Sequence, residues 1–234
     1  CVGCGWYNPE EWKKAINRII QPKKERNIAI VGKYLATGGF SLKDSYVSVN
    51  EAIKHAGANN DAKVNITWLD SNKLEESDSL LKEKLSSFDG IIVPGGFGAH
   101  GVNGKINVIK YCRENNIPFL GLCFGLQLAV IEFARNVCNI KDADSTEFSP
   151  DTKSNIIDIM PEQKKISNNG ATMRLGAHKA ILKEGTKPFQ LYNKKEISER
   201  HRHRYEVNPQ YHKILQDHGL VFSGVSENQA LVEF

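Results

Sequence analysis

The chain has 234 residues, 40% hydrophobic and 25% charged, with 31 Lys and Arg against 27 Asp and Glu for a net charge of +4. That length suits one large domain or one domain with an appendage. It offers no apolar run near the ~18 residues of a membrane-spanning helix, and a charge this small and dispersed excludes nucleic-acid binding unless a local basic stripe supplies it. The N-terminal Cys1-Val-Gly-Cys4 lacks the basic and apolar regions of a targeting signal. Five cysteines, Cys1, Cys4, Cys112, Cys123 and Cys138, odd in number and widely spaced, point to a reducing, cytoplasmic setting. Cys1 and Cys4 form a CxxC, but no second ligand pair has matching spacing, so no metal is expected.

The first predicted element is a helix. Asn8 is a cap residue, Pro9 suits the first helical position, and Glu10 and Glu11 sit at the positive end of the dipole, ahead of Trp12, Ala15, Ile16, Ile19 and Ile20 at helical spacing. Pro22 stops it. The charged stretch Lys23-Lys24-Glu25-Arg26 is then expected to separate residues 1–26, a connecting helix or linker, from a main domain over 27–234. From there the pattern predicts a strand at 28–32, a helix at 45–56 ending at Gly57, a strand at 63–69, a helix at 73–85, a strand at 90–94, a helix at 103–115, a strand at 117–122 and a helix at 125–138. After residue 150 come shorter, more polar strands at 155–160, 171–182 and 197–207, a helix near 209–218 and strands at 220–225 and 229–234. Continuously apolar strands separated by helices indicate an α/β fold, a three-layer sandwich with a mostly parallel central sheet. In such folds the chemistry sits at the carboxyl ends of the strands.

The segment Gly121-Leu122-Cys123-Phe124-Gly125-Leu126-Gln127 carries the clearest chemical signal. A strand ends at Cys123 and a helix begins at once, with glycines on both sides of the cysteine where a strand-to-helix turn is most crowded. This is the logic of a nucleophile elbow: the side chain projects at the apex and the next backbone N–H can bind an oxyanion. The helix N-terminus is expected to lower the thiol pKa. One strand earlier, Pro94-Gly95-Gly96-Phe97-Gly98 contains a G-x-G-x-x-G running from Gly96 to Gly101. A dinucleotide fingerprint belongs to the first strand–helix turn and wants an acid ending the next strand, whereas the next strand here ends in Cys123. Gly95 and Gly96 instead suit a peptide N–H approaching an oxyanion beside the cysteine. Glu199-Arg-His-Arg-His-Arg-Tyr-Glu206 is the one dense basic stripe. As a continuous strand it would put the three arginines and Glu206 on one face and His201, His203 and Tyr205 on the other. An arginine fork for a carboxylate suits it better than nucleic acid, since exposed interleaved aromatics are lacking.

These residues resemble the class I glutamine amidotransferases. Asp44-Ser-Tyr46, Ser145-Thr-Glu147-Phe148, Thr172-Met-Arg-Leu-Gly176 and Glu199 through Asn208 narrow the likeness to the glutaminase domains of the CTP synthase family, over residues 27–234. The resemblance implies a flavodoxin-like fold, a Cys123 nucleophile forming a glutamyl thioester, and an oxyanion held by N–H groups of Gly96 and Phe124. It implies that Gly95, Gly96, Phe97, Gln127, Glu147 and Arg204 line the L-glutamine site, Glu147 suiting the α-ammonium and Arg204 the α-carboxylate. No cofactor or metal is implied in this domain. ATP and magnesium belong to a covalently linked synthetase domain that aminates UTP, with GTP as allosteric activator and a homotetramer as the assembly. The family's general base is the histidine of a His-Pro-Glu motif shortly after a Leu-Val-Glu strand. The chain reads Leu231-Val232-Glu233-Phe234 and contains no His-Pro-Glu, so that motif is expected beyond residue 234. His100 stands where the family has arginine, in a segment it associates with GTP activation, and Phe124 stands where it has leucine. The rival readings are a γ-glutamyl hydrolase with the same elbow and a catalytically silent glutamine-pocket module.

Overall fold

Ile28-Ala29-Ile30-Val31 makes the first strand, β1 (Lys24–Gly32), the centre of a sheet in the computed structural model, which describes residues 9–32, 46–75, 78–96, 98–159 and 173–234. The chain divides into two units, Cys1–Pro94 with Asn103–Leu120, and Gly95–Val102 with Gly121–Phe234. In the first, β1 runs parallel to β2 (Ala62–Asp70) and to β3 (Gly90–Val93), and with β4 (Phe119–Gly121) the order is β2-β1-β3-β4. Helices flank this parallel sheet, as the alternation requires: α1 (Pro9–Ile20), α2 (Val47–Asn59), α3 (Asp78–Leu85) and α4 (Val102–Glu114). Ala29, Ile30, Val31, Leu85, Val93 and Val108 are fully buried and form its core.

Three expectations in this unit are corrected. The charged stretch does not separate α1 from the first strand, because β1 begins at Lys24 and pairs Lys24–Arg26 with Ala62–Val64. Parallel pairing satisfies the backbone there, while the side chains stay at the surface, with Lys63 Nζ 3.2 Å from Glu25 Oε1. The expected boundary at 26/27 thus falls inside a strand. Gly57 does not end its helix but lies buried within α2, where an added Cβ would meet Ala62 O and Val64 Cγ2 at 2.7 Å. It marks a close helix–strand approach. The helix expected over 73–85 is split into a 3-10 turn, Ser71–Leu74, capped by the Asp70 carboxylate accepting from the Asn72 N–H, and α3.

The second unit is built on α5 (Phe124–Asn136), which packs on a three-stranded sheet of order β5-β6-β9: β5 (Ala143–Ser145), β6 (Ser154–Ile159) and β9 (Tyr205–Val207). Phe124, Leu128, Ile131, Ala143, Ile156 and Ile157 are buried here. A second sheet, β10-β7-β8, pairs β7 (Arg174–Leu182) antiparallel with β8 (Glu196–His203) and with β10 (Gly224–Ser226). Phe189, on α6 (Lys187–Tyr192), and Phe234 cover its Ala180, Leu182 and Ile197. A 3-10 turn, Pro209–Tyr211, leads into α7 (His212–Asp217). The strand expected over 197–207 is broken at Arg204, and its halves enter different sheets. Its faces are therefore not those of one ribbon: Glu206 is buried 3.4 Å from His203 instead of sharing a face with Arg200 and Arg202, which are exposed. Among the described residues no helix is long and apolar enough to cross a membrane.

Candidate functional site

Cys123 is the N-cap of α5, at φ 52° and ψ −103°. A side chain at such a φ is strained by about 1–3 kcal/mol and persists only where its surroundings impose the turn. The imposition is visible at Gly121, where an added Cβ would stand 2.6 Å from the backbone of Gly125 and Leu126. Only glycine lets the strand leave the helix N-terminus so closely. Phe124, buried beneath the turn, meets Phe148 edge-on with ring centroids 6.2 Å apart.

Cys123 is exposed as a residue, while its thiol is crowded at the base. The Sγ lies 3.8 Å from the Arg202 carbonyl oxygen, within reach of a weak S–H donation. Crowding of the sulfur raises the thiol pKa, the Phe124 N–H bond to it opposes this, and the carboxylates of Glu147 and Glu206 raise it further. The lowering expected from the helix N-terminus is thus outweighed by desolvation and two nearby anions.

The glycine loop passes beside the turn, since a Cβ added to Gly95 would sit 3.6 Å from Cys123 Cβ. Gly95 and Gly96 are half-buried, and Gly98, at φ +74°, donates its N–H to Glu147 Oε1 at 2.8 Å. Phe97 lies outside the described residues, as do Cys1, Cys4, Asp44 and Thr172. Glu147 follows β5, and its own N–H donates to Ser145 Oγ at 3.2 Å, fixing the carboxylate beneath the loop. Gln127, one helical turn beyond Cys123, is buried and donates its side-chain N–H to Tyr205 O at 2.9 Å. Arg204 is half-buried at the break between β8 and β9. His100 is exposed. Cys123, Gly95, Gly98, Glu147, Gln127 and the Arg202–Tyr205 backbone therefore form one linked arrangement.

Beside it lies a buried polar cluster that sequence reading missed. Arg174 forks onto Glu233 at 3.2 and 2.6 Å and reaches Glu206 at 3.5 Å, while His201 and His203 stand 2.8 Å apart through Nδ1 and Nε2. The signal was present in the hairpin: antiparallel pairing of β7 with β8 puts Arg174 opposite His203. Burial pushes the Glu206 carboxyl up to about 7 despite the Arg174 guanidinium, and burial with His201 alongside pulls His203 down to about 4. Among the described residues no group of three or more His, Cys, Asp or Glu could hold a metal ion.

Residues 41–234 match the family described as Glutamine amidotransferase class-I. The chain is 57% identical over 229 residues to the CTP synthase of Methanocaldococcus jannaschii, a match covering 96% of this chain and 42% of that protein. It is 54% identical over 223 residues to the CTP synthase of Sulfolobus acidocaldarius, covering 95% and 41%. The chain thus spans about two fifths of the length of these relatives. Among solved structures it is similar to the Trypanosoma brucei CTPS glutaminase domain with bound acivicin, with a TM-score of 0.78, 36% identity, and 89% of this chain and 78% of that one covered.

Proposed function

The chain belongs to the class-I glutamine amidotransferases, and from that premise we propose that it hydrolyses the side-chain amide of L-glutamine through Cys123 and supplies ammonia for the amination of UTP to CTP. The Cys123 sulfur attacks the amide carbon, and the N–H groups of Gly96 and Phe124 take the charge that develops on the amide oxygen. Ammonia leaves, and water then cleaves the glutamyl thioester to glutamate. Glu147 faces the α-ammonium and Arg204 the α-carboxylate, Gly95 lies beside Cys123, Gln127 holds the wall through Tyr205 O, and Phe97 belongs to the glutamine site by the family's motif. The thiol proton goes to a general base that returns it to the departing nitrogen; the family uses the histidine of a His-Pro-Glu motif for this, a motif these 234 residues do not contain. The segment ahead of β1 connects to a synthetase domain that uses ATP and magnesium, corresponding to the rest of the relatives' length, with GTP as activator and a homotetramer as the assembly.

The observation that carries this reading is the strained Cys123 turn with the Gly95 loop beside it. The test is intact mass and peptide mapping after treatment with a glutamine-mimicking chloro-dihydroisoxazole. A single adduct on Cys123, lost in Cys123→Ala, is expected; an adduct on Cys112 or Cys138 instead removes Cys123 from the role. Replacing Arg204 with Ala is expected to weaken glutamine binding by about 1.5–3 kcal/mol, measured by isothermal titration. A second reading, a silent glutamine-binding module, is favoured by the raised thiol pKa. No adduct on folded protein that still binds glutamine would select it.

A further inference from the structure

Arg174, Glu233, His201, His203 and Glu206 are all nearly buried: their side chains are 11%, 1%, 13%, 14% and 5% exposed. Their hydrogen bonds can be ordered from one fixed point. Tyr205 O can only accept, so His203 Nδ1, 3.2 Å from it, carries the hydrogen. His203 Nε2 then accepts from His201 Nδ1–H at 2.8 Å, leaving His201 Nε2 turned to Glu233 Oε2 at 3.4 Å. The Arg174 fork holds Glu233 on its other side. The line does not stop at Tyr205, because the same carbonyl takes the Gln127 amide from α5, and three residues earlier Arg202 O lies against the Cys123 thiol. A buried ion pair is thereby connected, contact by contact, to the reactive turn.

We propose that Arg174, Glu233, His201 and His203 are positioning residues: a buried relay that holds the Arg202–Tyr205 backbone against Cys123 and Gln127 and so places the thiol for attack. The proposal rests on Cys123 being the nucleophile. With Nδ1–H given to His203, a hydrogen bond from His201 Nε2 to Glu233 needs a second proton on His201, and one guanidinium facing two buried carboxylates leaves a place for that positive charge. The other groups facing His201 are His178, edge-on at 5.3 Å between ring centroids, and Glu199. Burial opposes the charge on His201, as do the Arg174 guanidinium and His178, while Glu233 favours it, so the bond from Nε2 to Glu233 weakens as pH rises. His203 stays neutral over the working range, as its place in the relay demands.

The experiment measures covalent labelling of Cys123 by the chloro-dihydroisoxazole in the full-length protein, separating the maximum rate from the half-saturating concentration. Glu233→Gln keeps the side chain's size and removes its charge; His203→Leu removes both bonds of the imidazole. Each is expected to lower the maximum rate about ten- to a hundredfold, the scale of a displaced reacting group, with half-saturation changed less than twofold. His203→Asn places an amide N–H where Nδ1–H stood but lacks the Nε2 acceptor, so it keeps the Tyr205 O contact, cuts the link to His201 and is expected to recover part of the loss. Unchanged maximum rates in Glu233→Gln and His203→Leu overturn the relay, as does a loss that His203→Asn fails to recover. If Glu233→Gln does not fold, the two His203 variants decide. Wild-type protein that binds glutamine yet takes no label fails the nucleophile reading instead, a result distinct from either.

Discussion

Cys123 is held at φ 52°, where glycine is at ease and cysteine is not. Cys123→Gly should therefore exceed Cys123→Ala in stability by about 1 kcal/mol in urea melts, relief of strain outweighing the added freedom of the unfolded chain. Gly121→Ala should do the reverse, since its Cβ meets backbone at 2.6 Å: a loss of about 1–3 kcal/mol, with labelling of Cys123 slowed as the turn opens. The buried pair beside it sets an opposed pH dependence. His203, lowered from 6.5 to about 4, stabilises the fold above pH 6.5, and that contribution is lost as pH falls through 4. Glu206, raised from 4.5 to about 7, contributes below pH 4.5 and loses its contribution as pH rises through 7. Each is worth on the order of 3 kcal/mol and they oppose each other where their windows overlap. Wild-type stability should be nearly flat from pH 4.5 to 6.5. Glu206→Gln removes the falling arm, so its stability should climb with pH over that interval; a flat variant profile would show that His203 is not the second titrating group.

At the scale of elements, close approach matters more than cap chemistry. Gly57→Ala keeps helix propensity and even improves it, yet should destabilise by about 1–3 kcal/mol because α2 lies so near Ala62 and Val64. Thermal melts would check this, and a gain in stability would mean that the strand yields easily. The same position shows what the sequence could and could not reveal. Helical periodicity located α4 and α5 within a residue or two, because their apolar positions face one side and nothing contradicts them. Gly57 read as a terminator because a local pattern has no record of the strand that crowds it. Lys24–Arg26 read as a spacer because charged side chains hide the strand pairing of their backbone. The turn at Cys123 was legible for the opposite reason: strand, glycines, cysteine and helix are consecutive. Arg174 and Glu233 were not, since they lie 59 residues apart and meet only once β7, β8 and the Leu231–Phe234 segment are in place.

At the scale of the whole molecule, the second unit takes Gly95–Val102 from one stretch of chain and Gly121–Phe234 from another. The Cys123 turn and its glycine loop are thus not parts of one continuous piece. Residues 121–234 expressed alone would keep Cys123, Glu147 and Gln127 but lack the Gly98 N–H that holds Glu147 Oε1. That fragment is expected to take no label at Cys123, and mixing it with residues 1–120 should restore labelling if the two associate. Labelling of the lone fragment at the full rate would show that the loop is dispensable to the pocket. Matches extending over 96% of this chain but 42% of its relatives place the same modular question one level higher.

The break at Arg204 makes the Glu199–Glu206 stretch intolerant of a change in length. His203 ends one sheet and Tyr205 begins another, with a single residue turning the corner. Substitution at exposed Arg200 or Arg202 leaves that count intact. Deleting or inserting one residue between 203 and 205 shifts Tyr205 O away from Gln127 and Glu206 away from Arg174 together, so a frame-preserving indel here should be more damaging than any point change in the same stretch.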